Sequence, residues 1–220
     1  MPKTKLRRFK ENLTFPNLFQ LRYHEILRGF PLKGNWNSGQ FHNEHPLTLE
    51  LGCGKGEYTI GLALRHPERN YIGIDIKGAR LWRGCKTALE QNIQNVAFLR
   101  TQIGHIETFF NKEEVDEIWI TFPDPQGHKE RKRLTSPVFL DKYKRILSPD
   151  AIIHLKTDNA EFFDYTLSVI AAKGHSLLYS THDLYHTDQD NDILSIRTFY
   201  ESMFMEQGKA ICYLKFSLKQ

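Results

Sequence analysis

Thr48-Leu49-Glu50-Leu51-Gly52-Cys53-Gly54-Lys55-Gly56-Glu57-Tyr58 decides the fold. Thr48 to Leu51 reads as a short buried strand. Three glycines at alternate positions then make a tight turn, and Ile60, Gly61, Leu62 and Leu64 begin a helical pattern that runs to about Arg65. Strand, glycine turn and helix together open the nucleotide site of a doubly wound α/β domain. Glycine suits the turn because backbone must touch the ligand there, and a Cβ would stand in the way. The spacing is Gly-x-Gly-x-Gly, with Glu50 two residues before the first glycine. A dinucleotide fingerprint would place its third glycine at position 57, where Glu57 stands, so a nicotinamide dehydrogenase is disfavoured.

Downstream, the pattern repeats. His66-Pro67-Glu68 stops the first helix, because the residue before a proline avoids helical geometry. Tyr71–Asp75 is a second strand with Asp75 at its carboxyl end, 19 residues after Gly56. In this architecture such a carboxylate receives the ribose hydroxyls of a nucleoside. Residues 79–92 form a helix with Leu81, Cys85, Ala88 and Leu89 on its inner face. Arg80, Arg83 and Lys86 form a basic ridge, either a solvated face or an RNA contact. The strand Val96–Leu99 ends at Thr101-Gln102, where Gln102 offers a donor and an acceptor to an adenine edge.

The strand Glu117–Thr121 runs into Phe122-Pro123-Asp124-Pro125-Gln126, the second stretch that carries chemistry. Ligands of open α/β sheets lie beyond the carboxyl ends of the strands, which puts Asp124 beside the glycine turn. The flanking prolines stiffen the loop. His128, Lys129, Arg131, Lys132 and Arg133 follow, a run that suits a polyanionic substrate. Ser136-Pro137 caps and starts a helix that buries Phe139, Tyr143 and Ile146. Ser148-Pro149-Asp150 is a turn. The strand Ala151–Leu155 leads to Lys156-Thr157-Asp158-Asn159, with Asp158 again on the active side. A helix bearing Phe163, Leu167 and Ile170, a strand over His175–Ser180 and a polar loop over 181–198 come next. Thr198-Phe199-Tyr200-Glu201 opens a short helix, and Ile211–Phe216 is the last strand, antiparallel to its neighbours.

At 220 residues the chain is one domain with a small N-terminal appendage: a basic arm and accessory helix over 1–46, and the main domain over 47–220. Residues 1–18 read as extended, and Phe19, Tyr23, Ile26 and Phe30 as a helix packed outside the sheet. The net charge of +4 is unevenly placed. Lys3, Lys5, Arg7, Arg8 and Lys10 lie in the first ten residues; without them, 25 basic residues face 26 acidic ones. Such an arm is a solvated tail or a phosphate-binding segment. Cys53, Cys85 and Cys212 show no metal-site spacing and suit a reducing cytosol, and no apolar run is long enough for a membrane span.

Four stretches together resemble the bacterial tRNA (guanine-N7)-methyltransferases: Glu50–Gly56, Phe122–Gln126 with its basic run to Arg133, Lys156–Asn159, and Thr198–Glu201. The first is similar to motif I of the class I S-adenosylmethionine (SAM) methyltransferases at large. The others are more specific, and the likeness spans about residues 45–205. The resemblance implies a Rossmann-like α/β fold: a mostly parallel seven-stranded sheet, an antiparallel last strand and helices on both faces. It also implies SAM as methyl donor, tRNA as partner, N7 of a variable-loop guanine as target, and a cytoplasmic protein without a metal or an obligate protein partner. By the same resemblance Glu50, Gly52, Gly54, Asp75, Gln102 and Asp124 hold SAM, with Asp124 also the catalytic residue. Lys129, Asp158, Thr198 and Glu201 serve the tRNA substrate.

The chain departs from that pattern in three places. Gln126 stands where tryptophan is usual, Gln102 stands where aspartate is usual, and the loop from Asp124 to Leu134 is about two residues short. The lysine role therefore falls on either His128 or Lys129. A methyltransferase with another substrate predicts no salt-sensitive RNA affinity. A non-catalytic RNA-binding relative predicts tRNA binding without transfer.

Overall fold

The computed structural model describes residues 3–21, 25, 29–187 and 194–219. Eight strands form one sheet: β1 (Leu18–Phe19), β2 (Leu47–Leu51), β3 (Asn70–Asp75), β4 (Val96–Arg100), β5 (Val115–Thr121), β6 (Leu147–Thr157), β7 (Ser176–Thr181) and β8 (Cys212–Ser217). Their spatial order is β1-β4-β3-β2-β5-β6-β8-β7. All neighbours run parallel except β8, which is antiparallel to both β6 and β7. The expected seven strands are present; the eighth is the two-residue β1, which extends the sheet beside β4. The described helices are α1 (Lys3–Asn12), α2 (Glu57–Arg65), α3 (Gly78–Glu90), α4 (Pro137–Lys144), α5 (Ala160–Lys173) and α6 (Phe199–Glu206).

The central strands are buried along their whole length, as parallel strands covered on both faces must be. Alternate residues feed two cores. Leu47, Leu49, Leu51, Ile72, Ile74, Ile118 and Ile120 pack with Leu140, Tyr143, Phe162 and Phe163 of α4 and α5. Tyr71, Phe98 and Trp119 pack with Tyr58, Leu62, Leu81 and Cys85 of α2 and α3. Leu89 does not join them: it is exposed at the end of α3, past the turn that packs on the sheet.

The N-terminal region differs from its expected form. Residues 3–12 are helical, not extended, and α1 docks on α3 through polar groups. Asn12 donates to the Gly78 carbonyl (2.8 Å), and the Trp82 indole N–H donates to Glu11 (2.6 Å). Phe19 belongs to β1 and packs against the α4/α5-side core, in which Phe30 and Trp36 are buried, so these three aromatic residues contribute to the main core. Tyr23 and Ile26 of the expected accessory helix lie outside the described residues, as do the three aspartates of 188–192. Ser148-Pro149-Asp150 bulges out within β6, where the register jumps from Val115↔Leu147 to Glu117↔Ile152.

The chain leaves β2 toward β3 and β4 on one side and returns to β5 on the other. The carboxyl ends of β2 and β5 thus form the topological switch point, where ligands of this architecture bind.

Candidate active site

The glycine turn follows β2 directly. Gly52 and Gly54 have φ of 80° and 58°, the left-handed region that glycine enters at no cost. A Cβ on Gly52 would meet open space and one on Gly54 only the Gly52 carbonyl at 4.0 Å, so the backbone is bare where a ligand would rest. Gly56 does a different job: a Cβ there would lie 2.6 Å from the Phe98 ring, so this glycine lets α2 pack onto the sheet.

Glu50 lies under that turn at 2% exposure. Its Oε2 accepts from the Thr59 amide (2.8 Å) and from the Thr59 hydroxyl, and its Oε1 accepts from the Thr121 hydroxyl (2.6 Å). One carboxylate therefore ties β2 to α2 and to β5. Burial pushes its pKa up to about 7, against the lowering effect of those donors. Asp75 ends β3 and braces the turn: Oδ2 accepts from the Gly54 amide (3.0 Å) and Oδ1 from the Lys77 amide (2.7 Å). Gln102 is exposed at the end of β4 and precedes a 3₁₀ segment, Ile103–Thr108.

The Phe122–Arg133 loop leaves β5 beside the turn. Phe122 (φ 47°) and Gln126 (φ 56°) are both left-handed, which costs a non-glycine residue about 1–2 kcal/mol each. The surroundings hold them there. The Phe122 amide donates to the Lys156 carbonyl (2.8 Å), and the Gln126 amide donates to Asp124 Oδ1 (3.0 Å). Asp124 is exposed, and its Oδ2 has no partner among the described residues. Arg133, expected among the RNA-facing cations, is 2% exposed and turned inward. Its Nε donates to the Pro125 carbonyl (3.0 Å), and its Nη2 donates to the Gly127 carbonyl (3.0 Å) and to Glu161 (2.7 Å). The Tyr165 ring backs the guanidinium at 4.4 Å. Arg133 is the clamp of the Asp124 loop; Lys129, Arg131 and Lys132 remain exposed.

Residues 156–159 each do separate work. Lys156 is fully buried, and its ammonium donates to Glu201 (2.7 Å) and to the Leu194 (3.0 Å) and Ile196 (3.4 Å) carbonyls. Thr157 Oγ1 accepts from the Asn159 amide, and Asn159 Oδ1 caps α5 by accepting from the Phe162 amide (2.7 Å). Asp158 accepts from Lys209 (2.9 Å). Glu201 also accepts from the Tyr185 hydroxyl (2.6 Å) and forms a capping box with Thr198 at the start of α6. Its carboxylate is fully buried and engaged on all sides, so it sets the position of its neighbours. Those neighbours are Thr198, itself buried, and the exposed rings of Phe199 and Tyr200.

That segment lies over the glycine turn. The Phe199 amide donates to Glu57 (2.8 Å), Arg80 donates to the Tyr200 hydroxyl (3.1 Å), and Lys55 sits 4.6 Å from the Phe199 ring centre. The small cavity between them is lined by Glu50, Gly52, Gly54, Phe122, Thr198 and Tyr200. Phe122, Tyr200 and Phe204 form an aromatic cluster at its edge, with Phe204 centred 5.9 Å from Phe122 and 6.5 Å from Tyr200.

The switch point thus gathers Glu50, Gly52, Gly54 and Thr198 around one cavity, with Asp75 bonded to its turn. Asp124, Lys129, Asp158 and Gln102 lie on loops that leave the same strand ends. Sequence reasoning missed Tyr185, Thr59 and Thr121, and it named Lys156 and Arg133 without their buried, structural roles. Lys156 lies inside β6, which runs two residues past the expected end at Leu155, and a lysine on a doubly covered strand is buried and needs a partner.

Bare glycine backbone, an acid at the end of β2 and another at the end of β3 suit the amino-acid tail and ribose of SAM. This fold and site define a class, the Rossmann-like SAM-dependent methyltransferases. Among solved structures the 16S rRNA methyltransferase KamB shares the fold, with a TM-score of 0.65 at 14% identity over 86% of this chain and 95% of that one. A family model described as "Putative methyltransferase" matches residues 44–214. Named tRNA (guanine-N(7)-)-methyltransferase in both organisms, a Christiangramia forsetii protein is 52% identical over 99% of each chain, and a Bacteroides thetaiotaomicron protein 48% identical over 100% of this chain and 88% of that one. The chain belongs to the tRNA (guanine-N(7)-)-methyltransferase family.

Proposed function

We propose that this chain acts in the cytoplasm on tRNA and methylates N7 of a variable-loop guanine. The observation that carries the reading is the meeting of two loops at one switch point: the open glycine turn after β2, and the strained, clamped Asp124 loop after β5. The relatives' activity and the exposed cations Lys129, Arg131 and Lys132 beside Asp124 support RNA as the substrate.

S-adenosylmethionine supplies the methyl group as a sulfonium electrophile. Gly52, Gly54 and Asp75 would hold it, with Glu50 beneath the turn and Gln102 toward the adenine. Guanine N7 carries a lone pair and no proton at neutral pH, so the chain needs no strong base. What it must supply is alignment and stabilisation of the positive charge that develops on the purine. We assign both to Asp124: its Oδ1 accepts from the Gln126 amide, which leaves Oδ2 for the base. The aromatic cluster of Phe122, Tyr200 and Phe204 supplies the stacking surface that Gln126 does not. Lys129, Asp158 and Thr198 face the nucleotide, and Glu201 serves it by holding Thr198 in place. Unstacking the base costs a few kcal/mol, offset by these contacts.

Asp124→Ala is the direct test. The methylation rate on unmodified tRNA is expected to fall about 100-fold, as when one preorganised electrostatic partner is removed. SAM affinity is expected to change little. Near-normal turnover would remove Asp124 from the chemistry.

A further inference from the structure

A groove of about 570 Å³ lies between α1, the start of α2 and the first turns of α3. Arg8, Lys55, Arg80 and Arg83 line it, together with Glu57 and Ile60. Two of these charges are already engaged: Arg83 pairs with Glu90 (3.0 Å), and Glu57 accepts from the Phe199 amide. Among the described residues the other three cations have no carboxylate partner. Arg80 donates to a phenol, Lys55 sits over the Phe199 ring, and Arg8 donates to the Ala79 carbonyl (3.4 Å). Arg8 is held by stacking 4.7 Å from the centre of Trp82, and its Nε is buried with no acceptor. A buried N–H without an acceptor is unfavourable, and an oxygen brought against it relieves that cost.

We infer that this groove is a cradle for RNA phosphates, built by docking the basic N-terminal helix onto α3. The inference rests on the tRNA reading and adds to it the place where the backbone is gripped. Three convergent cations from three elements match an anion with several oxygens. Two features favour a strand over a small free anion. Lys55, Glu57 and Arg80 line both this groove and the cofactor cavity, so a backbone lying in the groove continues to the reacting centre. On the same helix Lys5, one turn before Arg8, is exposed and prolongs the positive track. Because α1 is fixed by Asn12 and Glu11, the grip sits at a set distance from the site rather than on a loose tail.

Filter binding of unmodified tRNA over a salt series, with the full-length protein, tests the cradle. The variants are Arg8→Gln, Arg8→Lys and Arg8→Gln/Arg80→Gln. Each lost phosphate contact is expected to lower the salt slope by about 0.7–0.9 and to weaken all tRNAs alike. Arg8→Lys keeps the charge and is expected to keep most of the slope, which separates charge from the Trp82 packing. SAM affinity of Arg8→Gln is expected to match wild type. Unchanged slopes in the Gln variants, with wild type binding and methylating tRNA, would overturn the cradle and leave the tRNA reading standing. Weaker binding at an unchanged slope would overturn it as well. A wild type with no salt-sensitive tRNA affinity would overturn both.

Discussion

Glu50 is the residue at which stability and cofactor binding are expected to depend on pH. Its carboxyl rises from an ordinary 4.5 to about 7 because burial disfavours its charge. The folded chain therefore keeps a proton that the unfolded chain gives up, so stability falls as pH climbs from about 4.5 to about 7, by roughly 3 kcal/mol in full. The α-ammonium of a SAM tail near Glu50 favours the charged carboxylate and pulls that pKa down. Binding then releases a proton, and SAM affinity is expected to rise as pH climbs toward about 7. Calorimetry in buffers of different ionisation enthalpy checks this. Glu50→Gln is expected to abolish the rise, and a flat pH profile in the wild type would contradict the coupling. The sequence shows Glu50 and its motif plainly. It does not show the environment, because Thr59 and Thr121 come from elements 9 and 71 residues away.

At the scale of elements, two buried cations hold the two working segments. Arg133 braces the Asp124 loop through the Pro125 and Gly127 carbonyls. Arg133→Met is expected to lower methyl transfer about tenfold or more, which is about 1.4 kcal/mol of lost alignment. SAM affinity should stay within about twofold; undiminished transfer would mean the loop holds itself. Lys156 anchors the 194–201 segment, and its partner Glu201 is buried with it. Lys156→Met leaves that carboxylate uncompensated and is expected to cost about 3–5 kcal/mol. Lys156→Met/Glu201→Met should recover the melting temperature but not the transfer rate, because the apolar pair no longer sets Thr198 and Tyr200. A single variant that melts like wild type would refute this role.

Elements with strong apolar periodicity, β2 to β6 and their helices, were legible in the sequence. Helix α1 was not, because its run carries five cations and its contacts with α3 are largely polar. Arg133 was misplaced for a related reason. A cation in a basic run reads as solvated, and only the fold shows that two loop carbonyls and an aromatic ring close around it.

Across the molecule, the order β4-β3-β2-β5-β6 puts the glycine turn and the Asp124 loop side by side. Helices α1 and α3 carry the positive track, the turn between α6 and β8 brings Lys209 to Asp158, and α6 lies over the glycine turn. The parallel order follows from the repeated strand–helix pattern, so the overall fold was within reach of the sequence. The position of α6 on Glu57 was not, because it depends on a contact between residues 142 positions apart.

The central claim is methyl transfer to N7 of a tRNA guanine, and the most direct measurement is transfer from labelled SAM to unmodified tRNA transcripts followed by borohydride–aniline cleavage. A single cleavage in the variable loop is the expected result. Transfer without cleavage, or no transfer while SAM and tRNA both bind, would contradict it.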